Sequence, residues 1–336
     1  MATRMLVGLT LIAALLTFAA CGEEAASTET ATAPASASTS AASAAPTTTR
    51  EATPVLPVTV DDKDGKPVTI RDVSRVVILN GDITEVVYAL GLGEQVVGVD
   101  TSATYPPEAR AKQSIGYQAR LNAEGVLALT PTLVIGDEGA GPPEVIEQIR
   151  STGVPVLIIP DAATIDDIST KITAVATALG VPGRGAELAS QTRRDIDSAT
   201  DLVQRATSKP TVSFLYLRGS ATQMMGGKGT RADSLIEAAG GVDAGVRAGI
   251  VDYKPITPEA LVTASPDVIL VMDAGLESVG GVDGLLAIPG MAETPAGKAR
   301  RVVHFDDQYL LGFGPRTGQL LMELVRALHP ELAQTN

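Results

Sequence analysis

The residue pattern predicts an α/β protein of two similar lobes with mainly parallel sheets, joined by a long rigid helix, with a ligand cleft between the lobes. Three observations predict it. The chain carries one unit twice: Leu121-Asn122-Ala123-Glu124-Gly125-Val126-Leu127-Ala128-Leu129-Thr130-Pro131-Thr132-Leu133-Val134-Ile135 returns as Ile256-Thr257-Pro258-Glu259-Ala260-Leu261-Val262-Thr263-Ala264-Ser265-Pro266-Asp267-Val268-Ile269-Leu270. Each copy reads as a capped helix bearing one Glu, then a Pro stop, then a short apolar strand. Strands and helices alternate through both halves, the pattern of a mainly parallel sheet. Two long helical patterns separate the halves, and a cleft between lobes is a favoured place for a small ligand.

Taken in order, Val58 to Ile70 alternates apolar and polar residues around Asp64-Gly65 and predicts a β-hairpin. Arg75 to Leu79 is a buried strand, Asn80-Gly81-Asp82 a turn, and Ile83 to Leu90 a helix closed by Gly91. Val96 to Val99 is the next strand, followed by the first copy of the repeated unit, a helix from Pro142 to Ser151 and a strand from Val154 to Ile159. Ile165 to Leu179 shows an apolar stripe of Ile168, Ile172, Val175, Ala176 and Leu179, and Gly185 to Thr207 continues the helical pattern. The second half opens on the strand Val212-Ser213-Phe214-Leu215-Tyr216 and the helix Ala232 to Ala239. After the second copy it ends with a strand at Arg301 to Phe305 and a helix at Gly318 to Leu328. The expected domains are residues 58–162 as the N-terminal lobe, 163–182 as the connecting helix and 183–336 as the C-terminal lobe.

The first residues belong to processing rather than to the fold. Arg4 supplies a positive start and Met5 to Phe18 is apolar but short for a membrane span. Ala19-Ala20-Cys21 resembles the bacterial lipoprotein signal, with Phe18 where Leu is usual. The expectation is a signal peptide over 1–20 and lipidation of Cys21, the single cysteine. An ordinary signal peptide with an incidental cysteine is the alternative. Residues 21–57 are rich in Ala, Ser, Thr and Pro and read as a disordered tether. The folded part is then extracytoplasmic and anchored to the cell membrane.

Composition excludes several classes. With 26 basic and 39 acidic residues the net charge is −13, which argues against a nucleic-acid partner. Aromatic content is 3% with no Trp, too little for stacked sugar platforms, and two histidines are few for a transition-metal site bridging the lobes. No nucleophile elbow, Walker A sequence or dinucleotide fingerprint is present. Gly226-Gly227-Lys228-Gly229-Thr230 lacks the P-loop spacing, and Gly312-Phe313-Gly314 lacks the third glycine. The chain does not read as an enzyme.

Several stretches carry a resemblance: Ile115-Gly116-Tyr117-Gln118 with Leu121-Asn122-Ala123-Glu124-Gly125, then Gly139-Ala140-Gly141-Pro142-Pro143, Gly275-Leu276-Glu277-Ser278-Val279-Gly280-Gly281 and Leu311-Gly312-Phe313-Gly314-Pro315-Arg316. Over Val58 to Pro330 the chain resembles the substrate-binding lipoproteins of bacterial haem ABC importers, the HmuT type. Their fold is shared with vitamin B12 and ferric-siderophore binders, two lobes joined by one long helix. The resemblance implies capture of ferric haem b between the lobes and its delivery to a permease dimer with separate ATPase subunits.

It also implies residues. Tyr117 stands where the family places an axial ligand to haem iron, the only metal expected here, and phenolate is a hard donor suited to Fe(III). A free tyrosine is protonated at neutral pH, so ligation needs the metal and a cation. Arg120 is the near candidate, since Ala119 occupies the position where relatives often carry Arg. The histidine that some relatives place before Gly-Pro-Pro is absent from Asp137-Glu138-Gly139-Ala140, and Asp273-Ala274 replaces an arginine before Gly-Leu-Glu-Ser. His304 is a candidate at the end of a strand, although a structural role is the commoner one; His329 reads as structural. Lys228, Arg231 and Arg316 are candidate propionate or cleft contacts, with solvated loop charges or carbonyl capping as the alternatives. Met224 and Met225 face either the porphyrin or the core. Glu124 and Glu259, matched in the two copies, correspond to the carboxylates that dock on permease arginines, or else only serve their own helices. Two other functions stay open: the same fold binding a corrinoid or ferric siderophore, and a surface haem scavenger or sensor outside transport.

Overall fold

The structure, a computed structural model, describes residues 53–334. The expected signal peptide and Cys21 lie outside the described residues. Among the described residues no helix is long and apolar enough to cross a membrane.

The N-terminal lobe opens with the hairpin β1 (Val58–Asp61) and β2 (Pro67–Ile70), paired from Val58↔Ile70 to Asp61↔Pro67. A parallel sheet follows, made of β3 (Val76–Ile78), β4 (Val96–Val99), β5 (Gln113–Ser114), β6 (Leu133–Asp137) and β7 (Val156–Ile159), in the order β5-β4-β3-β6-β7. Apart from Asp137 at the end of β6, its central strands carry no polar side chain, because both faces are covered. Val76 and Ile78 meet Ile83, Val86 and Val87 of the helix Gly81–Ala89, while Val77 meets Val126 and Ile149 on the other side. That alternation is the two-residue period of a strand.

The C-terminal lobe repeats the plan with changes. Its sheet comprises β8 (Thr211–Arg218), β9 (Thr222–Gly226), β10 (Val242–Asp243), β11 (Tyr253–Pro255), β12 (Val268–Met272) and β13 (Val302–Phe305). The order is β11-β9-β8-β12-β13, with β10 pairing the start of β8. β8, β12 and β13 run parallel, whereas β9 folds back antiparallel on β8. The sequence pattern does not announce β9, β10 or β11; they are short, and β9 mixes Gln223 with two methionines rather than alternating.

The connection differs in detail from a single helix over 163–182. Those residues hold a capped 3₁₀ turn, Ile165–Asp167, and the helix Ile168–Ala178. The chain bends at Gly180, whose φ is 73°, and the long helix is the 22-residue Pro182–Val203, about 33 Å at 1.5 Å per residue. Pro182 starts it, as proline does at a first helical position. The long helix lies against Ile168–Ala178 on one side and against the last helix, Thr317–Leu328, on the other. Ile168, Ile172, Ile196, Leu320 and Leu324 join Val76 and Ile135 of the first sheet to Val212 and Leu270 of the second in one continuous core. Apolar burial through both lobes makes the junction stiff.

Candidate functional site

The carboxyl ends of the parallel strands are where α/β sheets bind ligands. Here they face a cavity of about 900 Å³ between the lobes, within the usual range for small-molecule sites. Asn80 follows β3 and Asp137 ends β6 on the N-terminal side; Tyr216 and Arg218 end β8 and Met272 ends β12 on the C-terminal side, and all five line the cavity.

Tyr117 is delivered by a turn. Gly116 adopts φ 83°, a left-handed conformation that a side chain rarely takes, and Tyr117 then starts the 3₁₀ turn Gln118–Arg120. The next residue is pinned: Asn80 Nδ2 donates to Gln118 Oε1 at 2.7 Å, and the Asp137 amide donates to Asn80 Oδ1 at 2.9 Å. A Cβ at Gly139 would fall 2.8 Å from Gln118 Nε2, so that glycine allows the loop to close over this chain of bonds. Tyr117 is 54% exposed at the cavity. Tyr216 enters the same cavity from the other lobe, with the Arg218 guanidinium 4.7 Å from its ring centre. Neither phenol oxygen has a hydrogen-bond partner among the described residues.

One wall is ionic. Asp82, Asp137 and Asp161 bring carboxylate oxygens within 4.8 Å of one another. Lys171 Nζ lies 2.5 Å from Asp82 and also donates to the Gly312 carbonyl at 3.0 Å. Arg231 pairs with Asp161, reaches to 3.9 Å from Asp82 and donates to the Leu311 carbonyl. Burial would raise Asp82, but Lys171 and Arg231 hold it below the usual carboxylate range. Asp137 has no such close cation, and burial, with Asp82 and Asp161 adding, pushes it up to about 6. The cluster is thus filled by the protein's own cations.

Those cations also tie the lobes together. Arg231 begins the C-terminal-lobe helix Arg231–Ala238, and its carboxylate partners belong to the N-terminal lobe. Gln308, buried on the helix Asp307–Leu311, donates to the Gly81 carbonyl at 2.8 Å and accepts from the amides of Thr104 and Tyr105 at 2.7 and 2.8 Å. Arg316 grips Glu85 through Nε at 3.0 Å and Nη2 at 2.8 Å while lying 3.5 Å over the Tyr105 ring.

The family now stands on direct comparison. A model of the periplasmic binding protein family matches residues 76–309. The chain belongs to that family. Among solved structures similar to this member, the periplasmic heme-binding protein RhuT from Roseiflexus sp. RS-1 is 57% identical, covering 78% of this chain and 99% of RhuT at a TM-score of 0.76. The heme-binding protein HmuT is 38% identical, covering 85% of this chain and 94% of HmuT at a TM-score of 0.79. The uncharacterized ABC transporter substrate-binding lipoprotein YvrC of Bacillus subtilis (strain 168) is 28% identical over 84% of this chain and 88% of its own length. Like the family, this chain is a substrate-binding protein and not an enzyme.

The candidates named from sequence separate into groups. Tyr117 and Arg231 line the cavity, although Arg231 is consumed by Asp161 and Asp82. Arg120 and Lys228 are exposed and lie outside the lining, and Arg316 is committed to Glu85. His304 is exposed, with Nδ1 2.6 Å from Asp273. His329 is fully buried, its Nε2 against the Ala239 carbonyl at 2.9 Å. Met225 is in the C-terminal core. Glu124 and Glu259 are exposed at matching places, each two residues after a cap: Asn122 accepts from Gly125 N, and Thr257 from Ala260 N. Tyr216, Arg218 and Arg110 are among the lining residues that the sequence reading did not single out. Tyr216 looked like the end of an apolar core strand; its shared parity with Val212 and Phe214 is the signal that sets it on the inward face.

Proposed function

We propose that this protein is the substrate-binding component of an ABC importer, capturing ferric haem between its lobes and handing it to the permease. One observation carries the reading: each lobe offers an unpartnered phenol, Tyr117 or Tyr216, to the same cavity. Ferric iron favours hard anionic oxygen, and a haem has two axial positions. Tyr117 supplies one ligand from the N-terminal lobe. Tyr216 is the candidate for the other, with Arg218 as the cationic neighbour that an anionic ligand oxygen needs. The 57% identity to a heme-binding protein, and the 38% identity to HmuT, support haem over a corrinoid or siderophore. Titration of the purified chain with ferric haem and, separately, with cobalamin tests this. Saturable haem absorbance without saturable cobalamin binding is expected; the reverse would install the corrinoid reading.

Cys21 as a lipidated anchor and residues 21–57 as the tether complete the proposal, supported by the lipoprotein description of YvrC. The boundaries 58–162, 163–182 and 183–336 remain our division of the chain. Glu124 and Glu259 are the docking residues: one exposed carboxylate per lobe, at equivalent helix positions, suits a two-fold permease. Replacing both by Ala is expected to leave haem titration unchanged and to abolish stimulation of the permease ATPase in proteoliposomes. Undiminished stimulation would remove the docking assignment.

A further inference from the structure

The cavity is lined by six carboxylates, Asp82, Asp137, Asp273, Glu277, Asp306 and Asp307, and by only three guanidiniums, Arg110, Arg218 and Arg231. A ligand bearing carboxylates therefore meets a wall of its own sign unless a cation is left free for it. Two of the three are taken. Arg218 Nη2 sits 2.6 Å from Asp307 and its Nη1 donates to the Leu217 carbonyl at 2.8 Å. Arg231 is held by Asp161, Asp82 and the Leu311 carbonyl. Arg110 differs. Its Nε donates to the Thr104 carbonyl at 2.6 Å, and among the described residues its two terminal nitrogens have no acceptor.

The anchor is itself firm. The Thr104 amide and hydroxyl both donate to Gln308 Oε1, at 2.7 and 3.0 Å, so the carbonyl that aims Arg110 is fixed by the side chain that joins the lobes. The Nε edge of the guanidinium is tied down, the terminal nitrogens are left without an acceptor among the described residues, and Arg110 lines the cavity. A planar fork held in this way matches a carboxylate through two parallel hydrogen bonds.

We propose that Arg110 is the specificity-determining residue of the site, receiving a ligand carboxylate and so selecting a carboxylate-bearing tetrapyrrole over one whose side chains are amides or esters. The inference rests on the haem reading and assigns the role that Lys228, Arg231 and Arg316 do not fill. An amide or ester offers neutral oxygens and leaves the fork without its charge partner. Arg110 is solvent-exposed, so screening keeps the effect modest.

The test is a titration of the purified chain with ferric haem and with its dimethyl ester, in wild type and in Arg110→Gln. Wild type is expected to bind the diacid about 2- to 5-fold more tightly than the diester, the range of a solvent-exposed charge contact. Arg110→Gln should lose that factor for the diacid and leave the diester unchanged, with Arg110→Lys between the two. Equal wild-type affinity for diacid and diester, which needs no variant to fold, overturns the assignment while the haem reading stands. An equal loss for both ligands in Arg110→Gln also overturns it. Absence of saturable binding by either porphyrin overturns the haem reading together with it.

Discussion

The two copies of the repeated unit are alike in their bodies and differ at their tips. Asn122 and Thr257 cap the two helices in the same way. Thr130 and Ser265, each directly before a proline, both turn to positive φ, 45° and 42°. The strands that follow begin and end at equivalent residues, Leu133–Asp137 and Val268–Met272. Their last residues both line the cavity, yet one is a buried carboxylate wired to an ion cluster and the other a buried thioether. Architecture therefore resides in caps, prolines and apolar strands, which two sequences satisfy with different residues. Ligand chemistry resides in the strand-end residue and the loop after it, where nothing in the fold requires the copies to agree.

The largest expected effect attacks the polar tip. Lys171→Met leaves Asp82 buried without its closest cation, and denaturant unfolding should show a loss of about 3–5 kcal/mol. A loss below about 1 kcal/mol would mean that Arg231 alone suffices.

Making the tips more alike has a smaller, pH-dependent consequence. The carboxyl of Asp137, raised to about 6 from 3.8, binds its proton more tightly folded than unfolded. Its contribution to stability is therefore present below about 3.8 and lost as pH rises through about 6. Asp137→Asn removes that loss while keeping an acceptor for the Gly139 amide. The variant should be more stable than wild type by about 1–2 kcal/mol at pH 7.5 and equal to it near pH 4. Thermal melts across that range read this directly, and a variant less stable at pH 7.5 would contradict it.

The smallest effect tests the sameness of the bodies. Asn122→Ala and Thr257→Ala should each cost about 1 kcal/mol and should agree with each other to within about 0.5 kcal/mol in chemical denaturation. A clear inequality would show that the two caps do unequal work.

Much of this was legible. The duplicated unit, the strands around Val76–Ile78 and Val268–Met272 and the helical connection all announce themselves through apolar periodicity and proline placement. The ion cluster did not, because its members are distant in sequence: Lys171 is 89 residues from Asp82, and Arg231 is 70 from Asp161. One clue was present. Lys171 falls on the apolar stripe of its helix, three residues after Ile168, where a solvated lysine does not belong. Arg110 gave no such clue, since a charged residue in a loop is ordinary until the cavity places it beside two arginines that are already paired.

The most direct test of the account is the absorbance spectrum of the ferric haem complex in wild type, Tyr117→Phe, Tyr216→Phe and the double variant. The account predicts a phenolate-to-iron charge-transfer band in wild type, altered by either single change and absent from the double variant. A double variant that binds haem with the wild-type spectrum would contradict it, because the iron ligand would then lie outside the two phenols that the lobes present.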